Sequence, residues 1–309
     1  MKTKTFRSNP GNFRGVFVAL VTPMKGNEEI DYAQLGALAD RLVGQGVHGL
    51  IPLGSTGEYY ALSAGERERV VRTVVEAAAG RVPVVAGANA GATRDVIGFS
   101  RQAEQLGCAG VMLAAPYYSL PRPEELVVHF RAVNDAIGIP IILYNYPGRT
   151  GVDMTPELIE RLAGLKNVRY VKESTGEMSR VTELLRRCGT RLGVFCGCDT
   201  IALETLMVGA IGWVAGMGNV LPASHVKLYE LTVEKKDYVA ARKLFFDLLP
   251  MLELMEGGGK YTQWVKAACG IMGRNCGAPR RPLCAATKVE CARLRLALHQ
   301  CAEGRRNWS

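Results

Sequence analysis

The chain has 309 residues, 48% of them hydrophobic and 22% charged, which is enough to bury a large core and too apolar for global disorder. No apolar run is long enough to cross a membrane, and Met1–Pro10 lacks the apolar centre of a secretory leader. A soluble, cytoplasmic protein with no membrane partner is expected.

The net charge of +9 comes from 38 Lys and Arg against 29 Asp and Glu. The positive residues are scattered, with no basic block interleaved with aromatics, so an anionic metabolite is expected as partner and nucleic acid is not. The densest cluster, Arg280, Arg281, Arg293, Arg295, Arg305 and Arg306, reads as a solvated face. Nine cysteines, an odd number, argue against a full disulfide set. Cys196-Gly-Cys198 is not a Cys-x-x-Cys pair and the later cysteines are widely spaced, so no metal is expected.

In chain order, apolar strand-like runs alternate with amphipathic helical stretches. The spacing predicts a strand over 15–20 and a helix over 31–44, then a strand over 49–53 and a helix over 63–79. Ser63 and Glu66 form a capping-box pattern at the start of that second helix. Further strands are predicted over 83–87, 110–114, 140–145, 168–173, 191–197 and 210–215. The helices that follow them are predicted over 93–106, 123–137, 155–165, 178–187, 201–208 and 223–234.

Eight strand–helix pairs in about 235 residues point to a (β/α)8 barrel of the α/β class, a TIM barrel. The short, continuously apolar strands fit a parallel sheet covered on both faces. A doubly wound open sheet competes, but Val21-Thr22-Pro23 after the first strand offers no Gly-rich nucleotide turn. Helices over 238–255, 260–272 and 285–301 are expected as a C-terminal extension, dividing the chain into a catalytic barrel, 1–235, and a helical extension, 236–309.

In such a barrel functional side chains gather where strands end. After the second strand comes Gly54-Ser55-Thr56-Gly57-Glu58, whose glycines, hydroxyls and exposed amides suit a carboxylate. Small polar residues fill many turns, and this pattern alone is weak. After the fourth strand comes Pro116-Tyr117-Tyr118, and after the fifth Tyr144-Asn145-Tyr146-Pro147-Gly148-Arg149-Thr150-Gly151. Arg149 offers a fork for carboxylate recognition, and Tyr144 is placed to hold a phenol over the barrel mouth.

Lys172 ends the sixth strand, in Val168–Gly176. A strand-end lysine commonly snorkels to solvent or pairs with a neighbour such as Glu173. Burial, by contrast, disfavours an ammonium and leaves a neutral amine available as a nucleophile. Beside a carboxylate cradle, a phenol and a guanidinium, such an amine suits a 2-oxo acid. The ketone condenses with the lysine, and the protonated imine stabilises a carbanion-like enamine at the adjacent carbon.

These motifs in combination resemble the dihydrodipicolinate synthase / N-acetylneuraminate lyase family of class I, Schiff-base-forming aldolases. The resemblance runs from about Gly15 through the C-terminal helices, with the lysine 28 residues after the tyrosine. It implies a (β/α)8 barrel, commonly a homotetramer built from tight dimers, that works through a covalent lysine imine without metal or organic cofactor. By motif, Lys172 would form the Schiff base, and Tyr144 would donate and accept the proton near the imine carbon. Thr56 would hold the keto-acid carboxylate, with Ser55 joining the proton relay and Gly54 opening the binding turn. Tyr118 resembles the relay tyrosine inserted across the dimer interface. The Val214 backbone matches the eighth-strand position that touches the pyruvyl group. Arg149 resembles the residue that binds the second substrate's carboxylate in the synthases.

Arg149 within Pro-Gly-Arg-Thr-Gly favours the synthase-like branch. Ser55 stands where synthases usually carry Thr, Ser119 where Asn is typical, and Cys198-Asp199 where Asp-Asp is typical. Tyr59 and Tyr60 are bulkier than the usual small residues, and Trp213 is expected to add bulk close to the site. No lysine-feedback residues are found over Ala88–Asp95.

The leading expectation is condensation of pyruvate with a carboxylated aldehyde. The alternative is an aldolase or dehydratase of the same family acting on a 2-keto-3-deoxy sugar acid or a hydroxy-oxo acid. A non-catalytic keto-acid-binding paralogue is the reading from another class.

Overall fold

A computed structural model describes residues 12–301. The Met1–Pro10 segment and Arg305–Arg306, both invoked above, lie outside the described residues. Eight strands run β1 (Gly15–Ala19), β2 (Gly49–Ile51), β3 (Val85–Gly87), β4 (Gly110–Ala114), β5 (Ile141–Asn145), β6 (Val168–Glu173), β7 (Gly193–Cys196) and β8 (Gly212–Ala215). Every pairing is parallel, in the order β2-β1-β8-β7-β6-β5-β4-β3, and a parallel bridge between Leu50 and Val84 closes the ring. The expected (β/α)8 barrel is the observed fold.

Between the strands lie α1 (Tyr32–Gly44), α2 (Ala64–Ala78), α3 (Thr93–Gln105), α4 (Pro123–Ala136), the single turn α5 (Pro147–Thr150), α6 (Pro156–Leu162), α7 (Met178–Cys188), α8 (Ala202–Met207) and α9 (Pro222–Tyr229). Local chemistry sets where they start. Asp31 accepts the Gln34 N–H at 3.0 Å to cap α1, and both bonds of the Ser63/Glu66 box form on α2. The helix expected over 223–234 is α-helical only to Tyr229, and Glu230–Glu234 continues it as a wider π turn. The short α5 was not anticipated, because Pro-Gly-Arg-Thr reads as a turn.

Strand alternation divides the apolar residues into two layers. Inward-facing Phe13, Phe17, Tyr170 and Phe195 fill the base of the barrel, with Phe13 and Tyr170 stacked at 4.9 Å. Outward-facing residues such as Val171, Val194 and Trp213 pack beneath the helices. The large rings need room: a Cβ on Gly212 would sit 2.6 Å from the Phe195 ring and 2.3 Å from the Gly15 carbonyl. The base is therefore closed by aromatics, and polar side chains find space at the carboxyl ends of the strands.

The C-terminal helices are α10 (Tyr238–Gly257), α11 (Tyr261–Ile271) and α12 (Lys288–Gln300). None is long and apolar enough to cross a membrane among the described residues. Gly257 ends α10 and Gly258-Gly259 follow it before α11, with Gly259 at a positive φ of 66°. None of the nine cysteines is joined in a disulfide, and six are buried, as expected of apolar filler.

The extension is tied to the barrel by a buried ion pair. Lys266 Nζ on α11 lies 2.6 Å from Glu58 Oε1, with side chains 1% and 0% exposed. The Glu58 carboxylate also accepts the Arg280 backbone N–H at 2.8 Å, and Lys266 donates to the Ala278 carbonyl at 3.0 Å. Breaking such a pair on one side strands a buried charge. Lys266→Met alone should therefore cost about 3–5 kcal/mol of unfolding free energy by denaturant titration. The double variant Lys266→Met/Glu58→Gln should recover much of that loss. Equal losses in the two variants would contradict the pairing.

Candidate active site

The carboxyl ends of β5 and β6 set the centre of the site. Their register pairs Tyr144 with Lys172, so both side chains point into the barrel side by side. Lys172 is only 7% exposed, and its Nζ lies 4.3 Å from the centroid of the Tyr144 ring. The next residues alternate outward: Glu173 is buried between barrel and helices, accepting from Asn145 Nδ2 at 3.1 Å and from the Thr175 N–H at 2.8 Å. Burial pushes the Glu173 carboxyl up despite those bonds. The expected alternative, Lys172 paired to Glu173, is absent from these bonds, since the two side chains leave the strand on opposite faces.

Room for the lysine comes from Gly197 after β7. A Cβ there would meet the Ser174 hydroxyl at 2.0 Å and Lys172 Cγ at 2.8 Å.

Ser55, Thr56, Arg149 and Val214 line the same cavity as Tyr144 and Lys172. The turn carrying Ser55 and Thr56 is closed by the Gly57 N–H donating to the Gly54 carbonyl at 3.0 Å. It is buttressed by the Thr22 hydroxyl, which donates to the Gly57 carbonyl at 2.7 Å. Gly54 shapes this turn without lining the cavity. Arg149 is exposed on α5, with its guanidinium 5.8 Å from the Tyr146 ring centroid. A second lobe of the mouth is lined by Tyr59, Tyr60, Asn89, Tyr117, Tyr146 and Thr150. Burial raises the Tyr59, Tyr60 and Tyr146 phenols, which therefore stay neutral at pH 7.

Tyr118 stands apart. It is 96% exposed with a φ of 71°, and within one chain it does not reach the cavity. Trp213 differs from expectation. It is the neighbour of inward Val214, so strand alternation turns it outward, where it stacks on His225 at 4.3 Å and adds no bulk to the cavity.

Among the cavity-lining residues that escaped the motif reading as site residues are Asp199 after β7, Glu256 at the end of α10 and Tyr261 at the start of α11. Asp199 Oδ1 accepts from Trp213 Nε1 at 2.8 Å, and Oδ2 accepts from the Tyr261 hydroxyl. The Asp199 N–H donates to Glu256 Oε1 at 3.0 Å. Burial raises the Asp199 carboxyl, opposed by the Tyr261 and Trp213 bonds and by the charge of Lys172. Only the departure Cys198-Asp199 signalled this cluster in the sequence; the helices that bring Glu256 and Tyr261 gave no local sign.

Taken together, a buried amine, a phenol against it, two hydroxyls, a guanidinium and a carboxyl pair converge on one closed-base barrel mouth. That set can form an imine, move protons beside it and hold an anionic substrate.

The family model described as "Dihydrodipicolinate synthetase family" matches residues 12–301. The 4-hydroxy-tetrahydrodipicolinate synthase of Halorhodospira halophila is 40% identical over 292 residues, covering 93% of this chain and 96% of that protein. The synthase of the same name from Geobacter metallireducens is 38% identical over 276 residues, covering 88% and 93%. The crystal structure of Acinetobacter baumannii dihydrodipicolinate synthase complexed with pyruvate superposes with a TM-score of 0.89 at 30% identity, covering 94% of this chain and 99% of that one. The chain belongs to the dihydrodipicolinate synthetase family, whose enzymes are class I lyases and synthases that form carbon–carbon bonds through a lysine Schiff base.

Proposed function

We propose that this protein condenses pyruvate with a carboxylated aldehyde through an imine on Lys172, in the manner of a 4-hydroxy-tetrahydrodipicolinate synthase. The observation that carries the reading is the Lys172 amine against the Tyr144 ring inside a cavity shared with Ser55, Thr56 and Arg149.

The Lys172 amine attacks the pyruvate ketone, and loss of water leaves a protonated imine. Loss of a methyl proton gives the enamine, whose terminal carbon attacks the aldehyde; hydrolysis then frees the product. Tyr144 moves protons at the imine carbon, with Ser55 as its relay. Thr56 holds the keto-acid carboxylate on the turn that Gly54 opens, the Val214 backbone touches the pyruvyl group, and Arg149 takes the acceptor's carboxylate. The protonated imine formed on Lys172 is the electron sink, so no metal or organic cofactor is required.

Exposed Tyr118 fits a side chain that completes a neighbouring subunit's relay, which makes a homodimer, or a tetramer of such dimers, the working form. The barrel, 1–235, carries the Schiff-base lysine and its tyrosine, and α10 and α11 of the extension, 236–309, wall the mouth. A cytoplasmic location suits free cysteines and a small-metabolite substrate. A second reading, cleavage or dehydration of a 2-keto-3-deoxy or hydroxy-oxo acid, draws support from Asp199 and Glu256 in the cavity, since carboxyls suit hydroxylated chains.

Borohydride reduction in the presence of pyruvate should add the reduced adduct's mass to the Lys172 peptide, and Lys172→Met should abolish it. No adduct with any 2-oxo acid would sink the reading. Tyr144→Phe should lower kcat by about 10²–10⁴-fold. It should also slow proton exchange at the pyruvate methyl, followed by NMR; a mere keto-acid binder would not accelerate that exchange at all. Arg149→Ala should raise KM for aspartate semialdehyde by about 10- to 100-fold, the scale of a lost hydrogen bond to a charged group. KM for pyruvate should change little, and an equal rise for both substrates would remove Arg149 from acceptor recognition.

A further inference from the structure

Glu256 has no part in the reaction as assigned above, yet it lines the same cavity as Lys172, Tyr144 and Arg149. It arrives from outside the barrel, on the last turn of α10 before the glycine break. Its Oε1 is held by the Asp199 N–H at 3.0 Å, while Oε2 has no protein donor among the described residues. Asp199 is differently placed. Both of its oxygens are engaged, by Trp213 Nε1 and by the Tyr261 hydroxyl, donors that favour its charged form against the burial that raises it, and it lies beside Glu256. Two carboxyls in one site, one locked and one free, are a means of dividing acid from base.

We propose that Glu256 is the acid that protonates the aldehyde oxygen of the acceptor as the carbon–carbon bond forms, with Asp199 as its positioning residue. The proposal rests on the Schiff-base reading given above. The enamine electron pair makes the bond from the pyruvate methyl carbon to the aldehyde carbon. The carbonyl π pair moves on to oxygen, which takes the Glu256 proton and becomes a hydroxyl, and the protonated imine is restored on Lys172. Glu256 is left as a carboxylate and recovers its proton from water. In the cleavage direction the Glu256 carboxylate removes the hydroxyl proton, the same bond breaks and its pair returns to the enamine. Tyr144, against the Lys172 amine, serves the imine carbon, so the two proton transfers fall to separate groups.

The surroundings support this division. Burial first and the Asp199 charge second push the Glu256 carboxyl up to about 7, against the opposing pull of Lys172 and Arg149. The other ionisable groups that feel its charge are Tyr146, Tyr261 and Cys198, all raised by burial and neutral near pH 7. The acid form of Glu256 is present below about 7 and lost above it. Bond formation should therefore slow as pH rises through that region.

The test compares wild type with Glu256→Gln, Glu256→Asp and Asp199→Asn by three readouts. These are borohydride trapping with pyruvate, exchange of the pyruvate methyl protons, and turnover with aspartate semialdehyde together with cleavage of 4-hydroxy-2-oxo acids. Glu256→Gln should still trap pyruvate and exchange its methyl protons, but lose about 10²–10⁴-fold in kcat for the carbon–carbon step. It should also lose the falling limb near pH 7. Glu256→Asp should restore part of the rate, and Asp199→Asn should move the limb to lower pH, since it removes a charge that keeps the proton on Glu256.

A Glu256→Gln enzyme with wild-type kcat and pH profile overturns the assignment while leaving the Schiff base standing. Loss of trapping in Glu256→Gln would place the residue in imine formation instead and equally overturn it. Absence of trapping in the wild type would remove the Schiff-base reading and this inference with it.

Discussion

The site depends on a charge pair that lies outside it. Glu58 ends the Gly-Ser-Thr-Gly turn in a left-handed conformation, fully buried, and without a partner its carboxylate would be costly there. Lys266 supplies that partner from α11, more than two hundred residues along the chain, and the Arg280 N–H binds the other oxygen. This arrangement holds the Ser55-Thr56 turn at its height over the barrel. It also fixes α11 against the mouth, where Thr262 donates to the Ser55 carbonyl at 3.5 Å and Tyr261 reaches Asp199. The C-terminal helices are thus part of the wall of the cavity.

Within the barrel, the period-two alternation of the strands separates structural from chemical side chains. On β6, Tyr170 and Lys172 face inward while Val171 and Glu173 face the helices. The inward column runs from an aromatic base to a buried amine, so the apolar filling below keeps water from one side of the lysine. The outward column does different work. Asn145 and Glu173 bond beneath the helices, and Trp213 sends its indole N–H back to Asp199. Outward residues of β5, β6 and β8 therefore brace the strand ends from which the inward ones act.

Apart from Ser55 in the catalytic turn and the outward-facing Trp213, the departures from the family pattern leave the Lys172–Tyr144 centre intact. Tyr59 and Tyr60 line the second lobe of the mouth with Tyr117 and Tyr146, which narrows the approach with neutral phenols. Cys198 precedes Asp199, and Glu256 adds a second carboxyl to the cavity that Arg149 also lines. The amine and phenol at the strand ends belong to the common chemistry, whereas the rim is where acceptors are distinguished. A rim that sets carboxyls beside a guanidinium offers both donors to an anionic group and acceptors to a hydroxyl.

Much of this was legible in the chain itself. Eight short apolar runs alternating with amphipathic stretches encode a closed parallel barrel, because strands buried on both faces must be apolar throughout. Side chains at strand ends share one face of such a barrel, so Ser55, Thr56, Tyr144, Arg149 and Lys172 could be brought together from position and Val214 from the family motif, and all six line one cavity. Trp213 was misjudged because a single step along a strand reverses the face. Asp199, Glu256 and Tyr261 could not be joined by any local pattern: they come from three segments, and only packing of α10 and α11 over the mouth, secured by Glu58 and Lys266, brings them together. Sequence determined the elements and the central amine and phenol, since those follow from periodicity and register. Tertiary structure alone decided the carboxyl pair beside them, because long-range burial, which no local spacing records, both places those groups and sets their protonation.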